Sequence, residues 1–148
     1  MSEPTNWSAW SAQIIEANKE IVAEFRANGG RVGGYFADAP MLLLHHIGAR
    51  TGDEHVNPLV YVRDGDDLVV AASKGGAPDN PAWYHNLKAH PRVAIELGTE
   101  TLTVEATEVY GEERDRFYRR LAHMRPAFAG YETRTDRVIP MLRLTRVA

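Results

Sequence analysis

Between Gly48 and Asn86 the chain gathers side chains suited to holding an anion. Gly48-Ala49-Arg50-Thr51-Gly52 places a guanidinium and a hydroxyl in a tight loop; His55 opens the segment that follows, and Asn57-Pro58 sits within it. Proline cannot donate to a sheet ladder, so Pro58 predicts an edge or a bulge. Farther on, Ala71-Ala72-Ser73-Lys74-Gly75-Gly76 sets a hydroxyl and an ammonium before two glycines. Such a stretch exposes successive backbone N–H groups beside a cation, which suits phosphate or carboxylate. Its glycine spacing and Ser-Lys order do not match a Walker loop. Brought to one cleft, Arg50, His55 and Lys74 would form a local positive site. Left apart, Arg50 and Lys74 are unrelated loop cations, and spacing alone allows both.

Other candidates carry less. His45 and His46 point to opposite faces if their apolar run is a strand, so they cannot chelate one ion together. His85 and His90 lack the interposed glutamate of a zinc-binding helix. No metal site is expected. No serine has a glycine-elbow context, and Asp66-Asp67 and Glu112-Glu113 fall where carboxylates serve a turn or a helix start. Asn28-Gly29-Gly30-Arg31-Val32-Gly33-Gly34 has the wrong spacing for a dinucleotide loop, and no strand leads into it.

These residues need a scaffold. Residues 7–27 read as an amphipathic helix, with Trp7, Trp10, Ile14, Val22 and Phe25 near helical spacing; the paired glycines then break it. Residues 41–47 and 55–63 are strand candidates, Asp64-Gly65-Asp66-Asp67 is a hairpin turn, and residues 68–72 complete a meander. Asn80 as N-cap and Pro81 in the first turn start a helix with Trp83 and Leu87 on its apolar face, ended by His90-Pro91. Strands at 92–97 and 101–109, a helix at 112–123, an irregular aromatic-bearing connection at 125–131 and a last strand at 138–144 follow. The sum is mainly β with flanking helices (α+β): about six strands, a leading helix and two inserted helices. An antiparallel barrel hides the edges of so many short strands. Residues 1–40 form the leading helix and glycine-rich connection, and 41–148 the barrel, within one domain.

Composition agrees with that scaffold and narrows the partners. A chain of 148 residues, 44% hydrophobic, supports one core. Its 17 basic against 20 acidic residues give a net charge of −3, so no nucleic-acid partner is expected. Cysteine is absent, which removes thiolate and disulfide chemistry and fits a reducing compartment. Met1-Ser2-Glu3-Pro4 lacks the basic start of a secretory signal, so the expected location is cytoplasmic. Trp7 and Trp10 suit a bilayer interface, but the helix is more acidic than basic; docking on its own barrel is favoured, with weak peripheral membrane contact as the alternative.

Several motifs in order then resemble one family. Gly48 to Gly52, Val56-Asn57-Pro58-Leu59, Arg63-Asp64-Gly65, Ala71 to Gly76, Asn80-Pro81-Ala82-Trp83-Tyr84-His85-Asn86-Leu87-Lys88 and Thr135-Asp136-Arg137-Val138-Ile139-Pro140 are similar to the deazaflavin-dependent nitroreductase family. Its members are actinobacterial split-β-barrel proteins that use coenzyme F420, a deazaflavin with a phosphodiester and a polyglutamate tail. The resemblance implies that Ala49, Arg50, Thr51, His55, Val56, Asn57, Pro58, Leu59 and Val60 line the cofactor and its phosphate. It implies that Ala71, Ala72, Ser73 and Lys74 hold phosphate or ring edge, and that Ala82, Trp83, Tyr84, His85 and Asn86 close over them. The implied activity is hydride transfer from reduced F420 to a small planar acceptor, a quinone first of all, with Trp83, Phe128 and Tyr131 at an aromatic mouth. Ser73 or Tyr131 would hydrogen-bond the developing oxyanion. His55 departs from the arginine frequent in the family. Arg125 and Phe128 stand where nitroimidazole-activating members carry tyrosines, which puts that activity in doubt. An FMN-loaded oxidoreductase and a non-catalytic F420 carrier are the alternatives. Oligomeric state is left open.

Overall fold

A computed structural model describes residues 6–147; Met1-Ser2-Glu3-Pro4, read above for a signal, lies outside them. Six strands, β1 (Met41–Ile47), β2 (Glu54–Asp64), β3 (Asp67–Ala71), β4 (Arg92–Leu97), β5 (Glu100–Val109) and β6 (Met141–Arg146), form a closed antiparallel barrel in the order β1-β2-β3-β6-β5-β4. Four helices flank it: α1 (Trp7–Ala27), α2 (Ala82–Ala89), α3 (Gly111–Met124) and α4 (Ala127–Thr133).

The sheet has apolar layers on both sides. Alternate residues of a strand face opposite ways, so Leu42 and Leu44 point into an inner cluster with Val70, Ile95, Val104 and Leu142, while Met41 and Leu43 join an outer one. That is why β1 is an unbroken apolar run. Helix α2 plugs the inner cluster with Trp83 and Leu87. The outer cluster lies under the helices, through Phe25 of α1, Phe117, Tyr118 and Leu121 of α3, and Phe128 and Tyr131 of α4.

Helix α1 is capped by Asn6, whose Oδ1 accepts from the Ala9 N–H at 3.1 Å. It docks with its C-terminal half: Ile21 and Val22 pack against the outer cluster, and Arg26 clasps Glu96 of β4 with two hydrogen bonds, the shorter 2.7 Å. Gly30, at φ +96, ends the helix where a Cβ would lie 2.7 Å from the Gly98 Cα of the β4–β5 turn. The glycine pair that breaks the helix thus also lets two backbones touch.

Four expectations need correction. The stretch at 125–131 is not irregular: Pro126, fixed at φ −57, leads into α4, so three helices are inserted rather than two. The last strand begins at Met141, because Pro140 has no N–H to give and uses its carbonyl to accept from Ala72 at 2.8 Å. Asn80 does not cap α2; Pro81 holds the cap position, and the Asn80 Oδ1 accepts from Arg137 at 2.8 Å. Trp83 is no mouth residue, being 5% exposed within the inner cluster.

Candidate functional site

The barrel is closed but split. Strand β2 pairs with β1 along Glu54–Val60 and beyond, yet pairs with β3 only from Tyr61, which faces Val70, to Asp64, which faces Asp67. Continued by one residue at each step, that register would set Val60 against Ala71, Leu59 against Ala72, Pro58 against Ser73 and Asn57 against Lys74. Instead the strands part. Pro58 sits on this unpaired edge, where the missing N–H costs no ladder bond. The two segments singled out in the sequence therefore run on from the end of this ladder with no pairing between them, as the two lips of a split.

Its outer side is roofed. Val56 and Val60 belong to the outer layer, α1 packs on β2, and the Trp10 ring would stand 2.7 Å from a Cβ built at Gly75. Leu59 turns to the inner cluster. His55 is exposed and stacks on His46, ring centroids 5.3 Å apart. Ala49, Arg50 and Thr51 are exposed in the β1–β2 turn beside this end.

Loop 73–76 is less open than its glycines suggest. The Gly76 N–H returns to the Ser73 carbonyl at 2.9 Å and the Ala77 N–H to the Lys74 carbonyl at 3.1 Å, so only the amides before them stay outside the turn. Lys74, at φ +47, gives its ammonium to Asp79 at 3.0 and 3.1 Å. That hydrogen bond first of all holds the Asp79 carboxyl below its ordinary range. The loop's carbonyl side is filled by Arg137, which donates to the carbonyls of Ala72 (3.2 Å), Ser73 (2.7 Å) and Ala77 (2.8 Å). Helix α4 sits directly on it: a Cβ at Gly76 would be 2.7 Å from the Tyr131 carbonyl. Tyr131 thereby lies against the loop that Ser73 opens, and it makes an edge-to-face pair with Phe128, centroids 5.2 Å apart. Burial pushes the Tyr131 phenol up, so it keeps its proton at neutral pH.

Helix α2 brings one residue to the β1–β2 turn. The Asn86 Oδ1 accepts the Ala49 N–H at 2.9 Å; its Nδ2 must then be the donor to His46 Nδ1 (2.9 Å), which leaves His46 Nε2 to donate to Asn57 Oδ1 (2.7 Å). Ala82 lies one helical turn before Asn86 on the same face. Trp83 points into the barrel, and Tyr84 turns to β5, donating to Glu108 at 2.7 Å; burial first of all raises its phenol to about 12. His85 is exposed against Tyr84.

His46 and Arg137 are the positioning residues that sequence reasoning missed. His46, 3% exposed, joins β1, β2, α2 and the β1–β2 turn as a neutral imidazole, and burial above all lowers its pKa. A folded value below the unfolded one, about 6.5, means the unfolded chain binds the proton first. Stability contributed by neutral His46 is therefore complete above about pH 6.5 and lost on acidification below it. The expected result is a melting temperature that falls between pH 7.5 and 5.5 in the wild type and falls less in His46→Gln; equal falls would show that the network is not sensed. Among the described residues, no group of three or more metal-type ligands occurs, and no helix is long and apolar enough to cross a membrane.

The chain resembles known proteins over most of its length. Residues 17–146 match the sequence profile of the F420H(2)-dependent quinone reductases. A protein of Mycobacterium tuberculosis named F420H(2)-dependent quinone reductase is 42% identical over 130 residues, 84% of this chain and 86% of that one. Among solved structures, one described as an F420-H2 dependent reductase is 36% identical with a TM-score of 0.66, covering 76% of this chain and 99% of its own. Another, described as a domain-swapped dimer, is 32% identical with a TM-score of 0.67 over 93% of this chain and 98% of its own.

Proposed function

The chain belongs to the F420H(2)-dependent quinone reductase family, and from that premise we propose that the β2–β3 split holds reduced F420 while a quinone is reduced at the α4 end. The cofactor is reduced F420 and the protein an oxidoreductase, which sets aside the FMN and carrier alternatives. One observation supports the placement: the ladder stops at Tyr61–Val70, and both segments expected to line the cofactor run on from its end unpaired with each other.

The donor set fits the group. Exposed Arg50 and His55 stand at one end of the split for its phosphate, with Thr51 and Ala49 in the same turn. Lys74, the Lys74 and Gly75 amides and the Ser73 hydroxyl stand along the β3 lip; Ala71, Ala72 and Val60, which were expected to line the cofactor, are buried and support the lips from behind, and half-buried Leu59, Asn57 and Pro58 form the β2 lip. Asn86 and Ala82 border the turn, whereas Trp83 and Tyr84 support it from behind. When bound, reduced F420 supplies the hydride. The protein's share is to orient both reactants, exclude water and deliver a proton. Phe128 and Tyr131 offer an apolar wall for a planar acceptor, and Tyr131, protonated, or Ser73 can donate to the carbonyl oxygen on which charge develops. Helix α1 commits Ile21, Val22 and Phe25 to the barrel, which leaves Ile14 and Ile15 for any contact with a bilayer.

The test is direct: purified protein, reduced F420 and menadione, with return of the oxidised-deazaflavin absorbance as readout. Turnover above buffer is expected; none would end the assignment to this acceptor class. Lys74→Ala is expected to weaken F420 binding by roughly 1.5–3 kcal/mol, the scale of a charge-assisted hydrogen bond. Asp79→Asn, which frees the ammonium from its partner, is expected to tighten it. A dissociation constant indifferent to both changes, measured by fluorescence titration, would make Lys74 a loop cation serving only Asp79.

A further inference from the structure

A second concavity, of about 710 Å³, lies between β2 and α3 and is lined by Arg63, Arg116, Arg119, Arg120 and His123, with no carboxylate among its lining residues. Positions 116, 119, 120 and 123 follow helical spacing and share one face of α3. The helix dipole favours cations toward the C-terminal end of α3, but it gives no reason for Arg63, which arrives from a strand. Two of the three acids of α3 are engaged elsewhere, Glu113 with Arg143 at 3.4 Å and Asp115 with Arg114 at 3.0 Å, and the third, Glu112, does not line the groove. On a chain of net charge −3, four arginines line one groove, with no carboxylate among the described residues that line it.

The guanidiniums are also held in place. Arg120 Nη2 donates to the Arg63 carbonyl at 2.7 Å, joining strand and helix sides of the groove. Arg116 and Arg120 lie 5.0 and 5.8 Å from the Phe117 ring centroid. We propose that this groove binds a phosphate group bearing an apolar substituent. A phosphate presents two terminal oxygens as a diester and three as a monoester, set tetrahedrally so that several arginine forks reach them at once, where a carboxylate presents two in one plane, and Pro40, Val62 and Met124 line an apolar side for the substituent. The proposal is independent of the cofactor reading, since neither Arg50 nor Lys74 lines this groove.

Such a phosphate could come from a soluble metabolite or from a lipid headgroup. Isothermal titration calorimetry with inorganic pyrophosphate tests the first, and co-sedimentation with phosphatidylcholine vesicles containing or lacking phosphatidylglycerol tests the second. Both are run on wild type, on the double variant Arg116→Gln/Arg119→Gln, and on Arg92→Gln, an exposed arginine of β4 outside both sites. Arg116 and Arg119 are exposed, so the double variant should fold, and its melting temperature verifies this. Saturable binding is expected in at least one arm, weakened at least about tenfold in the double variant and unchanged in Arg92→Gln. Response to pyrophosphate identifies a soluble ligand, and response to phosphatidylglycerol vesicles alone a headgroup. Silence in both arms, or binding that survives the double substitution, overturns the proposal.

Discussion

Trp83→Ala is expected to cost about 3–5 kcal/mol of folding stability, the range for deleting a large aromatic from a core. The indole is 5% exposed and packs with Leu42, Leu44, Leu87 and Ile95 in the inner cluster. It is the largest part of the plug that α2 drives into the barrel, and neighbouring strands cannot collapse onto the void without breaking the ladder that closes it. Urea unfolding measures the loss. Trp83→Phe keeps most of the volume and is expected to cost less, about 1–2 kcal/mol. The contrary result is informative: a stable Trp83→Ala whose KM for menadione rises would return the ring to the acceptor site.

That residue shows where the sequence spoke and where it was mute. Strand periodicity, the Asp64-Gly65 turn and the glycine break after α1 are local signals, set by backbone sterics within a few residues, and the elements they announce are present. Which way a tryptophan faces is not local. Trp83 and Leu87 do form an apolar face; only the barrel's open end decides that this face points inward. Arg125 to Tyr131 misled for a related reason: its helix is a short one, Ala127–Thr133, sustained by contact with loop 74–76 and the outer cluster rather than by a long amphipathic repeat.

The candidate site divides along the same line. The motifs around Arg50 and around Ser73-Lys74 could be picked out because glycine, hydroxyl and cation within a few residues are themselves a pattern. That they share one split depended on where the β2–β3 ladder stops, a property of two distant segments. Lys74 could be seen as a cation but not as a partner of Asp79, five residues on. His46 could be read only as a histidine unable to share an ion with His45, because its meaning lies in Asn57 and Asn86, 11 and 40 residues away.

Arg137 is the farthest-reaching case and carries the second large effect. It stood within a recognisable motif with no role attached, since nothing near it in sequence needs a cation. In the fold it bonds four acceptors at once, the carbonyls of Ala72, Ser73 and Ala77 and the Asn80 side chain. Burial first of all draws its guanidinium below the ordinary value, with Asp79 opposing, and so far from neutral pH it stays charged. Arg137→Ala leaves those acceptors unpaired and is expected to destabilise by about 2–4 kcal/mol. Arg137→Lys, a point charge in place of a planar fork, should recover only part of this. Because the same bonds fix residues 72–80, F420 affinity should fall at least about tenfold in Arg137→Ala, measured well below its melting temperature where the chain is folded. A variant that loses the stability but keeps wild-type affinity would separate the loop's architecture from cofactor binding, and the β3 lip would no longer belong to the site.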